Sequence, residues 1–252
     1  MKRYSWVWLL PLLASACAAP PADAPAPAPA TAERAAAPTV AIDSARLIRD
    51  LSVLAHDSME GRLVGTPGSE RAQRFLVARF SEIGLDRMGG EYTHPFTFTR
   101  QNQEIRAVNI VGMVRGTARP DRYIVITAHY DHLGIRNGEI YNGADDNASG
   151  TAGLLAIADH LRRNPPRHSM LFVAFDAEEG GLRGARHFVA NPPVPQDAMV
   201  LNINMDMIGR NDANELYVAG THHYPQLLPF VQRVAATAEV RLIPGHDTPN
   251  PA

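Results

Sequence analysis

Three continuous apolar runs alternate with segments of helical periodicity, and this alternation constrains the fold more than any other feature of the chain. The runs occupy residues 123–126, 170–175 and 199–203. Each has the length of a strand that is buried on both faces. Helical segments at 148–161 and 182–190 separate them. The order strand, helix, strand, helix, strand predicts an α/β fold with a mainly parallel, mixed central sheet and helices on both faces.

Acidic and imidazole side chains follow each of these strands directly, and a further acidic pair lies in the loop after the first strand. In open α/β sheets, ligands bind just beyond the carboxyl ends of the strands. We therefore expect these side chains to converge on one crevice. They are His129, Asp131, Asp145, Asp146, Glu178, Glu179 and Asp206.

The pair His129 and Asp131 is a weak signal by itself, because a structural histidine beside a surface aspartate has the same spacing. Its position at a strand end favours a different interpretation. The imidazole would ligate a metal ion, and Asp131 would hold the ring in its tautomer and orientation.

Asp145 and Asp146 precede a helix in a glycine-rich loop, so a helix cap is the alternative interpretation. Two adjacent carboxylates near other acids repel each other unless a cation neutralises them. A carboxylate that bridges two metal ions would resolve this. In that case Asp146 could remain near the helix start.

Glu178 and Glu179 could form an exposed acidic turn, and Asp206 could pair with Arg210. Adjacent side chains point in different directions, however. One glutamate can therefore ligate a metal ion while its neighbour acts as a general base toward water. A metal partner also explains a carboxylate at a buried strand end such as Asp206. Imidazole and carboxylate donors together suit zinc.

Four ordered motifs resemble the co-catalytic zinc exopeptidase family, which includes secreted bacterial leucyl aminopeptidases and glutamate carboxypeptidase II. The resemblance covers about residues 43–245. The motifs are His129-Tyr130-Asp131, Gly143-Ala144-Asp145-Asp146-Asn147-Ala148-Ser149-Gly150, Asp176-Ala177-Glu178-Glu179-Gly180-Gly181 and Asn204-Met205-Asp206-Met207-Ile208-Gly209.

The resemblance implies a zinc ligand set and an activity. Asp145 would bridge two zinc ions, His129 and Asp206 would complete one site, and Glu179 would ligate the other ion. The implied activity is that of an aminopeptidase-type hydrolase, which cleaves peptide substrates with water activated by two zinc ions.

Two further roles are implied in the same way. Glu178 would be the general base and acid, and Asp131 would orient His129. The resemblance also implies a cis peptide bond between Asp145 and Asp146.

The family's second zinc also takes a histidine from a later Ser-Asp-His motif, which this sequence lacks. His246 stands in a different context, which we interpret as a loop. We therefore expect a C-terminally truncated member that lacks the last elements of the fold. Since the second site would have only Asp145 and Glu179, we expect one tightly held zinc ion and little or no peptidase activity.

Two alternatives stay open. One is a glutaminyl cyclase-like zinc acyltransferase, against which the presence of His129 and Asp131 and the absence of the later histidine both argue. The other is an inactive, truncated binding protein, against which the intact Glu178 argues.

The N-terminus predicts an exported protein, either a cell-envelope lipoprotein or a secreted one. Residues 1–17 combine two basic residues, a short apolar core and Ala14-Ser15-Ala16-Cys17, which is similar to a lipobox. An ordinary secretory signal is the alternative to lipidation at Cys17. Residues 18–38 are an Ala/Pro-rich linker, and 39–252 form the peptidase domain.

Composition excludes other classes of protein. Hydrophobic residues make up 45% of the 252 residues, so a sizeable core is available. The formal net charge of −2, without a basic patch, argues against nucleic acid as a partner. We expect membrane contact only through the predicted lipid anchor.

Overall fold

Residues 42–245 are described by a computed structural model of the chain. They all belong to one unit, Val40–Ala252. The predicted signal, the linker, Cys17 and His246 lie outside the described residues and stay predictions. Within residues 42–245, every helix is too short or too polar to cross a bilayer.

Five α-helices and ten strands, several of them very short, form this part of the chain. The helices are α1 (Ser44–Leu54), α2 (Pro67–Ile83), α3 (Gly150–Arg163), α4 (Arg183–Ala190) and α5 (Leu228–Ala235). The strands are β1 (Asp86–Arg87), β2 (Thr93–Arg100), β3 (Gln103–Val114), β4 (Arg119–His129), β5 (Gly134–Arg136), β6 (Glu139–Tyr141), β7 (His168–Phe175), β8 (Met199–Asn204), β9 (Glu215–Val218) and β10 (Arg241–Pro244).

The main sheet has six strands, with β2 paired to β3 beside the path β1-β3-β7-β4-β8. The strand β4 pairs in parallel with both β7 and β8. By contrast, β3 pairs antiparallel with β1, β2 and β7. The predicted mixed α/β sheet is confirmed, and its parallel part consists of the three strands that carry the apolar runs.

Helices cover both faces of this sheet, as alternating residues of β7 show. Phe172 and Ala174 belong to one core cluster, which also holds residues of α1, α2 and α3. Leu171 and Val173 belong to the other, with Phe188 of α4. Successive side chains of a strand point to opposite faces, and both sets are buried here, which accounts for the unbroken apolar run.

The strand β8 lies at one end of the main sheet. Its apolar side chains Val200 and Ile203 are each 45% exposed, so the burial on both faces that the apolar run predicted is wrong for this strand, which among residues 42–245 has a neighbour in the sheet on one side only. The strands β9 and β10 form a separate parallel pair, and β5 and β6 form a short hairpin before α3. The sequence patterns did not predict β1, β5, β6 or β10, because two to four residues are too few to show a period.

Candidate metal centre

The parallel strands bring the predicted site residues to one edge of the sheet. His129 is paired with Phe175 at the ends of β4 and β7, and Thr127 is paired with Asn204 at the end of β8. The residues that follow each strand therefore begin at the same edge, as expected for parallel strands.

One group of metal-ligand atoms forms around His129. Its Nε2 lies 3.3 Å from Oδ1 of Asp146 and 3.4 Å from Oδ1 of Asp206. Its Nδ1 lies 3.2 Å from the carbonyl oxygen of Asp131, an acceptor that favours a proton on Nδ1. The Nε2 of His129 is then the nitrogen that can ligate a metal ion.

A second group of ligand atoms forms around His132. Its Nδ1 lies 2.8 Å from Oε1 of Glu179 and 3.7 Å from Oδ2 of Asp146. His132, Asp146 and Glu179 offer ligand atoms that are all within 4.8 Å of one another, as do His129, Asp146 and Asp206.

Asp146 joins the two groups through its two carboxylate oxygens. Oδ1 faces His129, and Oδ2 faces His132. This is the arrangement of a carboxylate that bridges two metal ions. Asp146 therefore lies between the two groups, where the family resemblance implied Asp145.

Asp145 points elsewhere. Its Oδ1 accepts a hydrogen bond of 2.9 Å from the amide of Gly209, and the Ser149 hydroxyl donates to its carbonyl oxygen. The predicted cis bond between Asp145 and Asp146 is also wrong, because the cis bond joins Asp146 and Asn147. Adjacent side chains point in different directions. A shift of one residue therefore exchanges the carboxylate that faces the two imidazoles for one that hydrogen-bonds within the loop.

Asp131 fixes the two glutamates. It is fully buried, and its carboxylate accepts hydrogen bonds from the backbone amides of Glu178, at 2.9 Å, and Glu179, at 3.3 Å. Its Oδ1 also lies 3.6 Å from Nδ1 of His129. One carboxylate thus connects the end of β4 with the turn after β7.

Glu178 approaches the centre but belongs to neither group of ligand atoms. Its Oε2 lies 4.0 Å from Nε2 of His129, and its side chain is 31% exposed. Burial raises the pKa of the Glu178 carboxyl above its ordinary value. Such a carboxylate can take a proton from water and give it up again.

The carboxylates also affect His129. Burial alone would lower the pKa of this imidazole, but interactions with Asp131 and Asp206 outweigh burial and raise the pKa to about 10. The centre is therefore strongly attractive for a cation in place of the proton.

Buried polar side chains hold the loops of the centre. The Arg62 guanidinium, fully buried, donates to the carbonyl oxygens of Leu54, Tyr130, Asn142 and Gly143 at 2.6–2.9 Å. These bonds fix the backbone beside His132 and before Asp146.

Asn147 joins the loop that carries Asp146 to the segment that carries Asp206. Its Nδ2 donates to the carbonyl oxygen of Met205 at 3.0 Å, and its Oδ1 accepts from the amide of Met207 at 3.2 Å. Asp206, between these two residues, is thereby held near Asp146.

The donor set fits zinc. Bonds of about 2 Å in a tetrahedral site place ligand atoms about 3.3 Å apart. The two carboxylate contacts of the His129 Nε2 have this length. Mixed imidazole and carboxylate donors are also the ligands that zinc takes at hydrolytic sites.

A cavity of about 480 Å³ opens beside the centre. Asp206 and Asp145 line one side, and the loop from Met207 to Asn211 and the strand β9 line the rest. The group around His129 therefore meets this cavity through Asp206.

Sequence reasoning missed His132. The available signal was its position directly after Asp131, at the strand end already selected for metal ligands. The same reasoning placed His129, Glu179 and Asp206 at this edge, and the structure brings all three within the two groups.

Asp176 is buried and supports the turn by accepting from the amides of Val108 and Ala177.

The fold and the donor set place this chain among α/β proteins that carry a candidate metal centre at the carboxyl edge of the sheet. Residues 109–248 match the sequence profile of Peptidase family M28. This match spans more than half of the chain, so the protein belongs to that family.

Curated relatives carry related names. A "Probable zinc metalloprotease" of Pyrenophora teres f. teres is 29% identical over 200 residues, which cover 73% of this chain and 42% of the relative. "Aminopeptidase YwaD" of Bacillus subtilis is 36% identical over 126 residues, covering 48% of this chain and 26% of the relative. The chain spans less than half the length of either relative.

Solved structures share the fold. A leucine aminopeptidase precursor from Bacteroides thetaiotaomicron superposes with a TM-score of 0.67 at 18% identity, covering 82% of this chain and 78% of that one. Porphyromonas gingivalis glutaminyl cyclase gives a TM-score of 0.68 at 21% identity, covering 82% and 77%. The zinc exopeptidase fold predicted from the sequence is confirmed.

Proposed function

We propose that this protein is a zinc-dependent exopeptidase of the aminopeptidase type that hydrolyses peptide substrates. The observation that carries the proposal is the position of Asp146, whose two oxygens face two imidazoles in separate ligand-atom groups. Family membership and the names of the relatives support the reaction class.

The ligands for the metal come from three strand ends and one loop. His129, Asp146 and Asp206 would hold one zinc ion, and Asp146 and Glu179 would contribute to a second. Bound zinc supplies Lewis acidity, which polarises the scissile carbonyl and makes water easier to deprotonate.

Glu178 supplies the proton transfer. Its carboxylate takes a proton from the attacking water while the water oxygen bonds to the scissile carbonyl carbon. When the carbon–nitrogen bond breaks, the same proton passes from Glu178 to the leaving amine. Partial exposure lets the carboxylate reach substrate, and burial holds its pKa above the ordinary value.

Asp131 acts by positioning. It holds the amides of both glutamates and faces the Nδ1 of His129, so the base and two ligands keep a fixed spacing. Such support matters because small misplacements of catalytic groups cost large factors in rate.

The test is hydrolysis of aminoacyl p-nitroanilides by the zinc-loaded chain. We expect release of nitroaniline that a chelator abolishes and zinc restores, and no cleavage of the same compounds with a blocked amino group. Cyclisation of an N-terminal glutaminyl peptide without hydrolysis would instead support the acyltransferase alternative. Metal binding with neither reaction would support the inactive binding protein.

Export is a second part of the proposal. The basic and apolar residues of 1–16 followed by Cys17 support an envelope lipoprotein, with a secreted protein as the alternative. Labelled fatty acid should enter the native chain and not the Cys17→Ser variant. Export of unlabelled protein would establish the ordinary secretory signal.

A further inference from the structure

His132 combines two contacts that a metal ligand at a second site needs. Its Nδ1 lies 2.8 Å from Oε1 of Glu179, and the same nitrogen lies 3.7 Å from Oδ2 of Asp146. The other carboxylate oxygen of Asp146, Oδ1, faces His129. A residue that only hydrogen-bonded Glu179 would not need this second contact.

The imidazole of His132 is held in place by the backbone. The residue is only 7% exposed. Gly143, at φ +57°, packs against its ring so closely that an added Cβ would lie 2.5 Å from the ring carbon Cδ2. Arg62 fixes the carbonyl oxygens of Asn142 and Gly143. The ring therefore has little freedom to turn away from Glu179.

The two ligand-atom groups are chemically equivalent. Each contains one imidazole and two carboxylates, and Asp146 is common to both. A zinc site normally has at least three protein ligands. Within residues 42–245, the group around Glu179 offers two carboxylates only when His132 is left out.

We propose that Nδ1 of His132 is the third protein ligand of the second zinc ion, which it holds together with Asp146 and Glu179. The inference rests on the proposed metal-dependent function and deepens it. It replaces the expectations of a single tightly held ion and of little or no peptidase activity.

The experiment counts metal ions and does not depend on activity. The full chain is freed of metal, loaded with zinc and dialysed, and its zinc content is measured. Cobalt(II) titrations followed in the visible range report each ion separately. The variants are His132→Asn, His132→Asp and, as a matched control, His223→Asn, which replaces an exposed histidine on another segment.

We expect two zinc ions in the native chain and in His223→Asn, and one in His132→Asn. The dissociation constant of the second ion should rise at least about 100-fold in His132→Asn. His132→Asp keeps a donor atom and should recover part of the second ion's affinity. Unchanged circular dichroism of the metal-free variants shows that folding is not the cause.

Other results overturn the proposal, and they can be told apart. Two ions of unchanged affinity in His132→Asn would exclude His132 as a ligand while leaving the proposed function intact. One ion in the native chain would show that His132 does not complete a site. No bound metal in the native chain would remove both the proposed function and this inference.

Gly143→Ala is an independent variant that leaves His132 present. The added methyl group would press on both the ring and the backbone carbonyl oxygen of Asp146, and the residue would also have to keep a positive φ. We expect loss of the second cobalt band and, because Asp146 belongs to both groups, a weaker first band. Retention of both bands in folded Gly143→Ala would contradict the proposed ring position.

Discussion

The buried carboxylate of Asp131 accepts a 2.9 Å hydrogen bond from the backbone amide of Glu178, which ties the end of β4 to the turn after β7. The same carboxylate faces Nδ1 of His129 at 3.6 Å. Asp131 therefore sets the distance between His129 and Glu178, which we propose as a metal ligand and the general base. Asp131 itself belongs to neither ligand-atom group.

Replacing Asp131 by Asn should weaken metal binding, because the amide cannot accept at both positions or support the imidazole as a carboxylate does. We expect metal affinity to fall by about 10–100-fold, as for other residues that orient metal ligands. Competition with a chelator measures this fall. An unchanged affinity in folded Asp131→Asn would show that the backbone alone positions His129.

Glu178→Gln separates proton transfer from metal binding. The amide keeps the size of the side chain but cannot accept a proton, so turnover should fall by about 10²–10⁴-fold. Zinc content should stay that of the native chain, because Glu178 lies outside both groups of ligand atoms. Near-native turnover of the zinc-bound variant would contradict the assignment of Glu178 as the general base.

Asp146→Asn and Asp145→Asn distinguish two neighbouring carboxylates. Asp146 faces both imidazoles, so its replacement should lower the affinity for both ions by more than about 100-fold. Asp145 hydrogen-bonds Gly209, so Asp145→Asn should retain the native zinc content. Isothermal titration with zinc measures both variants. The reverse order of effects would restore the assignment made from sequence.

Arg62→Met should destabilise the fold strongly. It removes donors from four carbonyl oxygens around the centre and leaves them buried. We expect the free energy of unfolding to fall by roughly 3 kcal/mol or more. Urea denaturation of the metal-free protein measures it. Arg62→Lys should recover only part of the lost stability, because an ammonium group lacks the planar fork of a guanidinium. A loss below about 1 kcal/mol in Arg62→Met would contradict the role of these bonds.

Stability should also depend on pH through two histidines, His94 and His187, that belong to neither ligand-atom group. The rings of His94 and His187 lie 5.0 Å apart, and His187 stacks on Phe96. Burial lowers the pKa of both, and for His94 the neighbouring His187 lowers it further. The folded state then binds fewer protons than the unfolded state, so stability present above the unfolded pKa, about 6.5, is lost as pH falls below it.

His187→Phe tests this dependence, because phenylalanine keeps the stack on Phe96 and carries no proton. Between pH 7.5 and 5, the free energy of unfolding should fall less in His187→Phe than in the native chain. Urea denaturation of both metal-free proteins at the two pH values gives the comparison. Equal losses would exclude His187 as a contributor.

The apolar runs and the polar residues just beyond them could be predicted because they are local properties of the chain. A strand buried on both faces needs an apolar segment, and the runs ending at Ile126 and Phe175 are of this kind. The run ending at Ile203 predicted its strand correctly, although this strand is largely exposed. Parallel pairing then requires their carboxyl ends to meet, so His129, Glu179 and Asp206 could be assigned to one edge before any coordinates.

The sequence left undetermined which of several neighbouring side chains points inward. Asp145 and Asp146 have the same chemistry, and only the backbone path through the loop turns Asp146 to the centre and Asp145 to Gly209. His132 likewise became visible only when the packing of Gly143 and the position of Glu179 were known. Side-chain direction in a loop depends on contacts between residues distant in sequence, and no local pattern records them.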